Sequence, residues 1–367
     1  MESRTIIVYA SPHTYCSHPC VAKLANGDWV VVFCESIQRQ PILHPPSDPR
    51  FMNLLCRSRD QGRTWGQPRV IPGYEWYGVE VAGLAQISNG DVLVNQWRFD
   101  WLPLEEARKR WRPPSLQFFV KDPETRVWRA ARSSEDWDRH PYPYARADGG
   151  AYVHISADNG HTWGPPVSVE IEPYRAAFSP KGVIELSNGD LLLALGSHDH
   201  DPLHASFVVR SRDGGRTWQR PVEVARDPRL IFSEPSVAEA RGGKLLLMSR
   251  EETTGYIYQS ESTDGGFTWS SPRQLAFWGY PTHCIRTAHG RIVIVYGRRK
   301  PPFGIRAAVS EDDGVTWGPE IVIRDDLPND NLGYPSVIEY APAKLFTAYY
   351  AETPSGTTCI QGTYFAL

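Results

Sequence analysis

One eight-residue pattern, Ser-x-Asp-x-Gly-x-Thr-Trp, limits what this chain can fold into. It occurs five times, at 58–65, 156–163, 211–218, 262–269 and 310–317. In such a pattern the Asp side chain accepts backbone N–H bonds and the Gly supplies a positive φ, which is typical of a tight turn between two strands. We call these turns Asp boxes. We expect their carboxylates to be structural and each box Trp to be largely buried.

The spacing of the boxes predicts the architecture. They recur about every 50 residues, with a first gap about twice as long, and such a period indicates one propeller blade per repeat. Pairs of apolar strands joined by a turn run through six further segments: 18–35, 80–98, 181–197, 234–251, 280–299 and 334–352. Asn-Gly-Asp in three of these turns is typical of two-residue hairpin loops.

These repeats predict an all-β fold, a six-bladed β-propeller that forms a single domain over residues 1–367. The last blade lacks an Asp box, so we expect the N-terminal strand at 4–10 to pair with 357–367 and complete it. Such a closure leaves no long open sheet edge.

Residues 99–150 do not fit a blade and predict an excursion from blade two. The stretch LEEARKRW at 104–111 predicts one or two helical turns. A long insertion in a compact domain is often functional. The excursion is therefore either a lid or oligomer contact, or an ordered surface segment without a role.

Composition excludes several classes of protein. The formal net charge of -3 argues against a strongly basic nucleic-acid binder. No apolar run reaches the length of a membrane span, and the N-terminus lacks a basic region followed by an apolar one, so we expect neither a membrane protein nor a signal peptide.

The six cysteines form no regular framework, which favours a reduced, cytoplasmic protein. Four potential ligands lie close together at His13, Cys16, His18 and Cys20, but their spacing does not match a zinc site. The sequence therefore predicts no metal and no cofactor.

Asp boxes on a six-bladed propeller resemble the sialidase (neuraminidase) superfamily over nearly the whole chain outside 99–150. The resemblance implies a pocket at one end of the central channel. It also implies a glutamate on blade four followed by an arginine at the end of the next strand, which SEPSVAEARGGKLLLMSR matches with Glu234 and Arg250. Arg306 in GIRAAVS and Tyr334 in GYPSV match a further arginine and a tyrosine.

The resemblance gives these residues roles. Tyr334 would attack the anomeric carbon, Glu234 would take its proton, and Arg250 and Arg306 would hold a carboxylate. Alignment of the strand ends adds Arg98, Tyr280 and Arg298, with Arg299 as an alternative to Arg298, to the expected substrate-binding residues.

The chain departs from the superfamily at two positions. The segment YCSHP at 15–19 carries Ser17 or His18 where the superfamily has the first arginine of its triad. The loop that should carry the acid/base aspartate offers only Asp48. Carboxylate recognition is therefore incomplete by this comparison.

Three functions stay open. The first is an exo-acting, retaining glycoside hydrolase on a terminal acidic sugar. The second is a uronate lyase on the same fold, with His18 or a pocket tyrosine removing a proton. The third is a carbohydrate-binding propeller without catalysis.

Tyr280 and Tyr334 share the tripeptide Gly-Tyr-Pro, so both could instead be packing residues repeated by blade symmetry. In every case the expected partner is a carbohydrate, and residues 99–150 are the candidate oligomer contact.

Overall fold

The structure is a computed structural model that describes residues 4–38, 50–71, 77–113, 118–124, 128–147, 150–174, 176–197 and 204–367. These residues form six antiparallel sheets. The first strand, β1 (Arg4–Tyr9), belongs to the last of them. Sheet one contains β2 (Thr14–Lys23), β3 (Trp29–Ile37), β4 (Met52–Ser58) and β5 (Arg69–Val70).

Sheet two is the largest. It contains β6 (Tyr77–Gln86), β7 (Val92–Pro103), β8 (Phe118–Lys121), β9 (Trp128–Ala130), β10 (Tyr144–Ala147), β11 (Ala151–Ser156) and β12 (Val167–Ser168), with helices α1 (Leu104–Arg110) and α2 (Ser134–Arg139) between its strands. Sheet three contains β13 (Ala177–Phe178), β14 (Ile184–Glu185), β15 (Leu191–Ser197), β16 (Ser206–Ser211) and β17 (Val222–Ala225).

The last three sheets are regular. Sheet four contains β18 (Phe232–Glu239), β19 (Leu245–Glu251), β20 (Tyr256–Ser262) and β21 (Arg273–Trp278), with a short 3-10 turn at Arg241–Gly243. Sheet five contains β22 (Thr282–Arg286), β23 (Ile292–Arg298), β24 (Gly304–Ser310) and β25 (Ile321–Arg324). Sheet six contains β26 (Leu332–Ala341), β27 (Lys344–Glu352), β28 (Thr358–Ala366) and β1.

The sheets have a propeller-like arrangement, and the predicted all-β class is confirmed. Each sheet packs against the next, and β26 of sheet six returns to pack against β2 of sheet one. The innermost strands therefore surround a common axis. Sheets one, four and five follow the chain as simple meanders. In sheet three both β13 and β14 pair with β15, sheet six is completed by β1, and sheet two is enlarged by the segment between β7 and β11.

The closure at the termini is confirmed. Arg4 lies opposite Tyr364 and Thr5 opposite Thr363, so β1 is hydrogen-bonded to β28. The Thr5 and Thr363 hydroxyl oxygens are 2.9 Å apart. The two ends of the chain thus complete one sheet.

Alternation along each strand explains why the sheets stack. In β3, Val30 and Val32 contribute to the core shared with sheet two, while Val31 and Phe33 contribute to the core shared with sheet six. Successive side chains point to opposite faces of a sheet. A strand with a neighbour on both faces is therefore apolar at consecutive positions.

The segment between β7 and β11 has its own small core. Ala107 of α1, Phe118 of β8 and Trp137 of α2 pack together there, and β10 pairs with the extended end of β7. The helix expected in LEEARKRW is confirmed as α1, with Glu105 and Glu106 in its first turn, where they favour the helix dipole. Across the described residues, neither helix has the length and apolar character needed to cross a bilayer.

The Asp boxes are self-contained turns. In the first, Ser58 Oγ donates to Asp60 Oδ1 at 2.8 Å, and Thr64 donates to the same carboxylate through its N–H at 2.9 Å and its hydroxyl at 2.7 Å. Asp158, Asp213, Asp264 and Asp312 have the same set of partners. The bonds from Thr64 lead in lowering the pKa of Asp60 to about 2.

Two details differ from expectation. Of the five box tryptophans only Trp218 is buried; Trp65, Trp163, Trp269 and Trp317 are part-exposed because they lie at the edges of the cores between sheets. The Asn-Gly-Asp hairpins have three-residue loops rather than two-residue loops. Leu24 N–H donates to Asp28 O at 2.8 Å, and Gly27 takes the left-handed conformation that such a loop requires.

Candidate active site

Three innermost strands start with the same backbone irregularity. His18, Glu234 and Tyr334 have φ angles of 54°, 44° and 50°, each precedes a proline, and each lies in a register shift of its sheet. Non-glycine residues rarely adopt this region, and such bulges are common beside active sites, where they aim a side chain. The other described non-glycine residues with positive φ lie in turns.

The three side chains meet at the axis. Tyr334 Oη donates a hydrogen bond to Glu234 Oε1, and Arg250 Nη1 lies 2.6 Å from Glu234 Oε2. Tyr334 and Glu234 are each only 3% exposed. One carboxylate therefore links a buried phenol to a guanidinium, and the predicted contact between Glu234 and Tyr334 is confirmed.

The electrostatics keep the phenol protonated at rest. Burial raises the pKa of Tyr334 well above its usual range, and the charge of Glu234 adds to this effect. The guanidiniums of Arg250 and Arg299 act in the opposite direction. Glu234 can thus receive the phenolic proton, and the two cations can stabilise the phenolate that forms.

Two arginines flank one aromatic ring beside this pair. The guanidinium carbons of Arg250 and Arg299 lie 4.2 Å and 5.5 Å from the centre of the Tyr280 ring, within the range of cation–π attraction. Arg299 also donates to Tyr350 Oη at 2.9 Å and to the Leu332 carbonyl at 2.8 Å. Tyr280, Arg250 and Arg299 are part-exposed, so the site opens on the arginine side.

His18 fills the place beside Tyr334 from sheet one. Its ring centre lies 3.9 Å from that of Tyr334 in an edge-on arrangement, and its Nδ1 lies 2.7 Å from Ser17 Oγ. His18 is fully buried. We call His18, Glu234, Arg250, Tyr280, Arg299 and Tyr334 the Tyr334 cluster.

Arg306 is not part of the Tyr334 cluster, so its expected place in the pocket is wrong. Its guanidinium bonds Glu320 Oε1 at 3.2 Å, the Pro302 carbonyl at 3.1 Å and the Arg324 carbonyl. All of these partners belong to sheet five or its loops. Arg306 therefore fixes the outer strands of that sheet.

Strand alternation explains why Arg299 takes this role instead of Arg298 or Arg306. In β23, Ile294 and Tyr296 pack toward sheet four, whereas Val293 and Val295 pack toward sheet six. Position 298 continues the first face and position 299 the second. Arg299 thus faces Tyr334 and Tyr350. This alternation was readable in the sequence once the order of the sheets was known.

Arg98 has contacts within its own sheet, and its predicted role in substrate binding stays a prediction. The guanidinium carbon of Arg98 lies 4.8 Å from the ring centre of Tyr152, and the backbone N–H of Arg98 donates to the Gly150 carbonyl. These contacts hold the outer part of sheet two. Asp48, the candidate acid/base residue, lies outside the described residues.

The cysteines and the histidines nearby do not gather as ligands. Cys16, Cys20 and the other four cysteines are buried, and none of them forms a disulfide. Within the described ranges, no group of three His, Cys, Asp or Glu side chains is arranged to hold a metal ion.

The comparisons with known proteins agree with this fold. Residues 143–346 match the BNR repeat-like domain family, which is more than half of the chain. The chain belongs to this family. The predicted membership of the sialidase and BNR-repeat superfamily is thus confirmed.

This BNR-repeat protein is similar in sequence to a sialidase and similar in fold to solved structures. It is 23% identical to a sialidase from Bacteroides fragilis (strain YCH46) over 297 residues, which are 76% of this chain and 50% of the relative. The chain therefore spans about half the length of that relative. Among solved structures, a protein of unknown function from Dyadobacter fermentans DSM 18053 has a TM-score of 0.82 at 24% identity, covering 100% of this chain and 99% of the other.

A NanB sialidase variant from Streptococcus pneumoniae has a TM-score of 0.70 at 12% identity and covers 98% of this chain and 70% of its own. At such identities the structural likeness establishes the fold of the BNR-repeat protein. The reaction has to be argued from the Tyr334 cluster.

Proposed function

We propose that this BNR-repeat protein is an exo-acting, retaining glycoside hydrolase that removes a terminal acidic sugar, and that its six sheets are the six blades of one propeller. The observation that carries the proposal is the chain of contacts from Tyr334 through Glu234 to Arg250. A buried phenol beside a carboxylate is an activated nucleophile, since the carboxylate can accept the proton as the phenol attacks.

The reaction divides into two steps. Tyr334 Oη attacks the anomeric carbon while Glu234 takes its proton, and the leaving oxygen departs with a proton from a general acid, the role for which Asp48 is the candidate. Water then attacks the anomeric carbon and gives a proton to that acid, while Glu234 returns its proton to Tyr334 Oη. The tyrosyl–sugar bond breaks, and the original anomeric configuration is restored. A neutral phenol suits an acidic substrate better than a carboxylate nucleophile, because two negative charges would repel each other.

The substrate class follows from the two arginines. Arg250 and Arg299 stand on the open side of the Tyr334 cluster, and planar guanidiniums bind carboxylates well. Arg250 is shared with Glu234. Ser17 or His18 stands where the superfamily has another arginine. Binding of the acidic group is therefore expected to be weaker than in a site with three free arginines.

A screen of acidic glycosides tests the proposal. The purified protein is incubated with aryl glycosides and oligosaccharides that end in acidic sugars, and the products are followed by proton NMR. Release of a saturated sugar with its anomeric configuration retained is expected. A first product of inverted configuration contradicts the tyrosyl intermediate.

One observation favours a second candidate, a uronate lyase. The fully buried His18 ring lies against Tyr334, and an imidazole or a phenol can remove the proton beside a carboxylate that arginines neutralise. The same NMR experiment separates the two, since a lyase product carries a C4–C5 double bond.

A further inference from the structure

A buried lysine lies on the axis beside the Tyr334 cluster. Lys181 follows Pro180 in the irregular stretch between β13 and β14 of sheet three and is 3% exposed. Its Nζ donates to the carbonyl of Pro335 at 2.8 Å. Sheets three and six lie on opposite sides of the axis in the cyclic order, so the side chain spans it.

The backbone of Lys181 is held firmly. Ser179 Oγ accepts from the Lys181 N–H at 3.2 Å and donates to the Lys181 carbonyl at 3.0 Å, while Asn95 Nδ2 donates to the Ser179 carbonyl at 3.1 Å. Sheet two packs directly on this backbone: a Cβ on Gly83 would lie 2.0 Å from the Lys181 oxygen. A fixed backbone lets a long side chain keep one direction.

The partner of Lys181 is the peptide that follows Tyr334. The register of β26 shifts between Gly333 and Ser336, which leaves the Pro335 carbonyl outside the regular ladder. A buried carbonyl needs a hydrogen-bond donor, and a bond from an ammonium group is stronger than one from a neutral donor. Lys181 therefore fixes the bulge in which Tyr334 has its positive φ.

The charged and titratable groups around Lys181 come from three other sheets: Cys20 of sheet one, Glu234 of sheet four and His283 of sheet five. Burial lowers the pKa of Lys181 to about 8, although Cys20 and Glu234 act in the opposite direction. Burial also lowers the pKa of His283 well below its usual range, and the charge of Lys181 adds to this. Among these groups Lys181 carries the positive charge at neutral pH.

Burying an ammonium costs free energy, and an apolar side chain would avoid that cost. The burial of Lys181 is thus better explained by the Pro335 carbonyl that its ammonium group binds than by a contribution to the stability of the fold. We propose that Lys181 is a positioning residue for the hydrolase reaction: it anchors the Pro335 carbonyl, and with it the bulge that aims Tyr334 at Glu234. This inference rests on the proposed hydrolase function.

Two variants test the role of the anchor. K181M removes both the donor and the charge, whereas K181Q keeps a neutral donor on a side chain that is one bond shorter. K23M is the matched control, because Lys23 Nζ donates to the Tyr340 carbonyl at 3.3 Å on the same strand β26 but at its exposed end. For K181M we expect kcat per folded molecule to fall by about 10- to 100-fold with KM within about twofold, as misalignment of reacting groups predicts. K181Q should lose less, and K23M should match the wild type.

Hydrogen–deuterium exchange of the peptide that contains Tyr334 supplies a readout without substrate. Faster exchange at 333–337 is expected in K181M, with K181Q closer to the wild type. If K181M retains wild-type kcat, or if it raises KM and leaves kcat unchanged, the positioning role is wrong.

A wild-type protein that hydrolyses no acidic glycoside, combined with faster exchange only in K181M, would show that the anchor is real and the hydrolase proposal is wrong. If K181M does not fold, K181Q decides: a lower kcat with faster exchange at 333–337 supports the anchor, and wild-type kcat with wild-type exchange contradicts it.

Discussion

The Asp boxes and the Tyr334 cluster lie at opposite ends of the same sheets, and both depend on acidic side chains next to backbone turns. The boxes follow third strands, whereas His18, Glu234 and Tyr334 lie in the first half of innermost strands, and neighbouring strands run antiparallel. Asp60 takes its hydrogen bonds from residues two and four positions away. Glu234 takes them from Arg250, 16 positions away, and Tyr334, 100 positions away.

This difference separates folding from chemistry. A carboxylate whose oxygens are occupied within its own turn stabilises that turn and has little capacity left for a substrate. A carboxylate held by partners from other sheets exists only in the complete fold, and it can pass a proton because one partner is a phenol. Variants at the two ends should therefore differ in what they change, activity or stability.

The largest effect is expected for Y334F. Removal of the phenolic oxygen removes the covalent route, so kcat should fall by about a thousandfold, equal to about 4 kcal/mol in the barrier. Product binding, measured by calorimetry, should stay close to that of the wild type because the arginines are intact. Y340F on the same strand is the control and should keep full activity. Full activity in Y334F together with an inactive His18→Ala would favour the lyase.

The next effect is expected for E234Q. The amide cannot accept the phenolic proton as a base does, so kcat should fall by about a hundredfold. Arg250 also loses the closer of its two charged partners and keeps Glu252, so a small loss of melting temperature should accompany the change.

E239Q, on the same strand β18, is the matched control, because Glu239 bonds the N–H and hydroxyl of Ser187 at the end of the strand away from the cluster. Equal activity losses in E234Q and E239Q would contradict the assignment of the base.

The sequence was sufficient for the all-β class, for the propeller-like arrangement of sheets and for part of the site. The repeated boxes have local partners, so their role could be derived from eight residues at a time. The contact of Tyr334 with Glu234 followed from the positions of two strand starts. The shared bulge at His18, Glu234 and Tyr334 was not foreseen, because each residue precedes a proline and such residues favour extended backbone over a positive φ.

The parts that were missed depend on three-dimensional neighbours. Choosing Arg299 over Arg298 and Arg306 requires knowing which face of β23 looks toward sheet six, and a shift of one residue reverses the face. Lys181 escaped notice because it lies just after Pro180 and reaches a sheet more than 150 positions away in the chain. Neither Arg299 nor Lys181 belongs to a repeated sequence pattern that would identify it.

D213A should test the other end of the comparison. The variant removes the acceptor of the bonds from Ser211 and Thr217, so the free energy of unfolding should fall by about 1–3 kcal/mol. The kcat of the folded fraction should not change. D138A is the control, because Asp138 makes only an exposed ion pair with Arg108 among the described contacts and such pairs contribute little. A change in substrate preference at unchanged stability would contradict the structural role of the box.

The smallest effect concerns pH and the first box. The bonds from Thr64 hold the pKa of Asp60 at about 2, below the value of about 3.9 expected in an unfolded chain. The folded state thus binds fewer protons than the unfolded state between these values, so this contribution to stability is complete above about pH 4 and is lost as the pH falls toward 2.

The stability difference between the wild type and D60N, from urea denaturation, should shrink as the pH falls from 5 to 3. Over the same range the kcat of the folded fraction should be equal in the two proteins, since the carboxylate of Asp60 acts on its own turn and not on the substrate. A stability difference that grows with acidity would show that the turn does not depend on the ionised carboxylate.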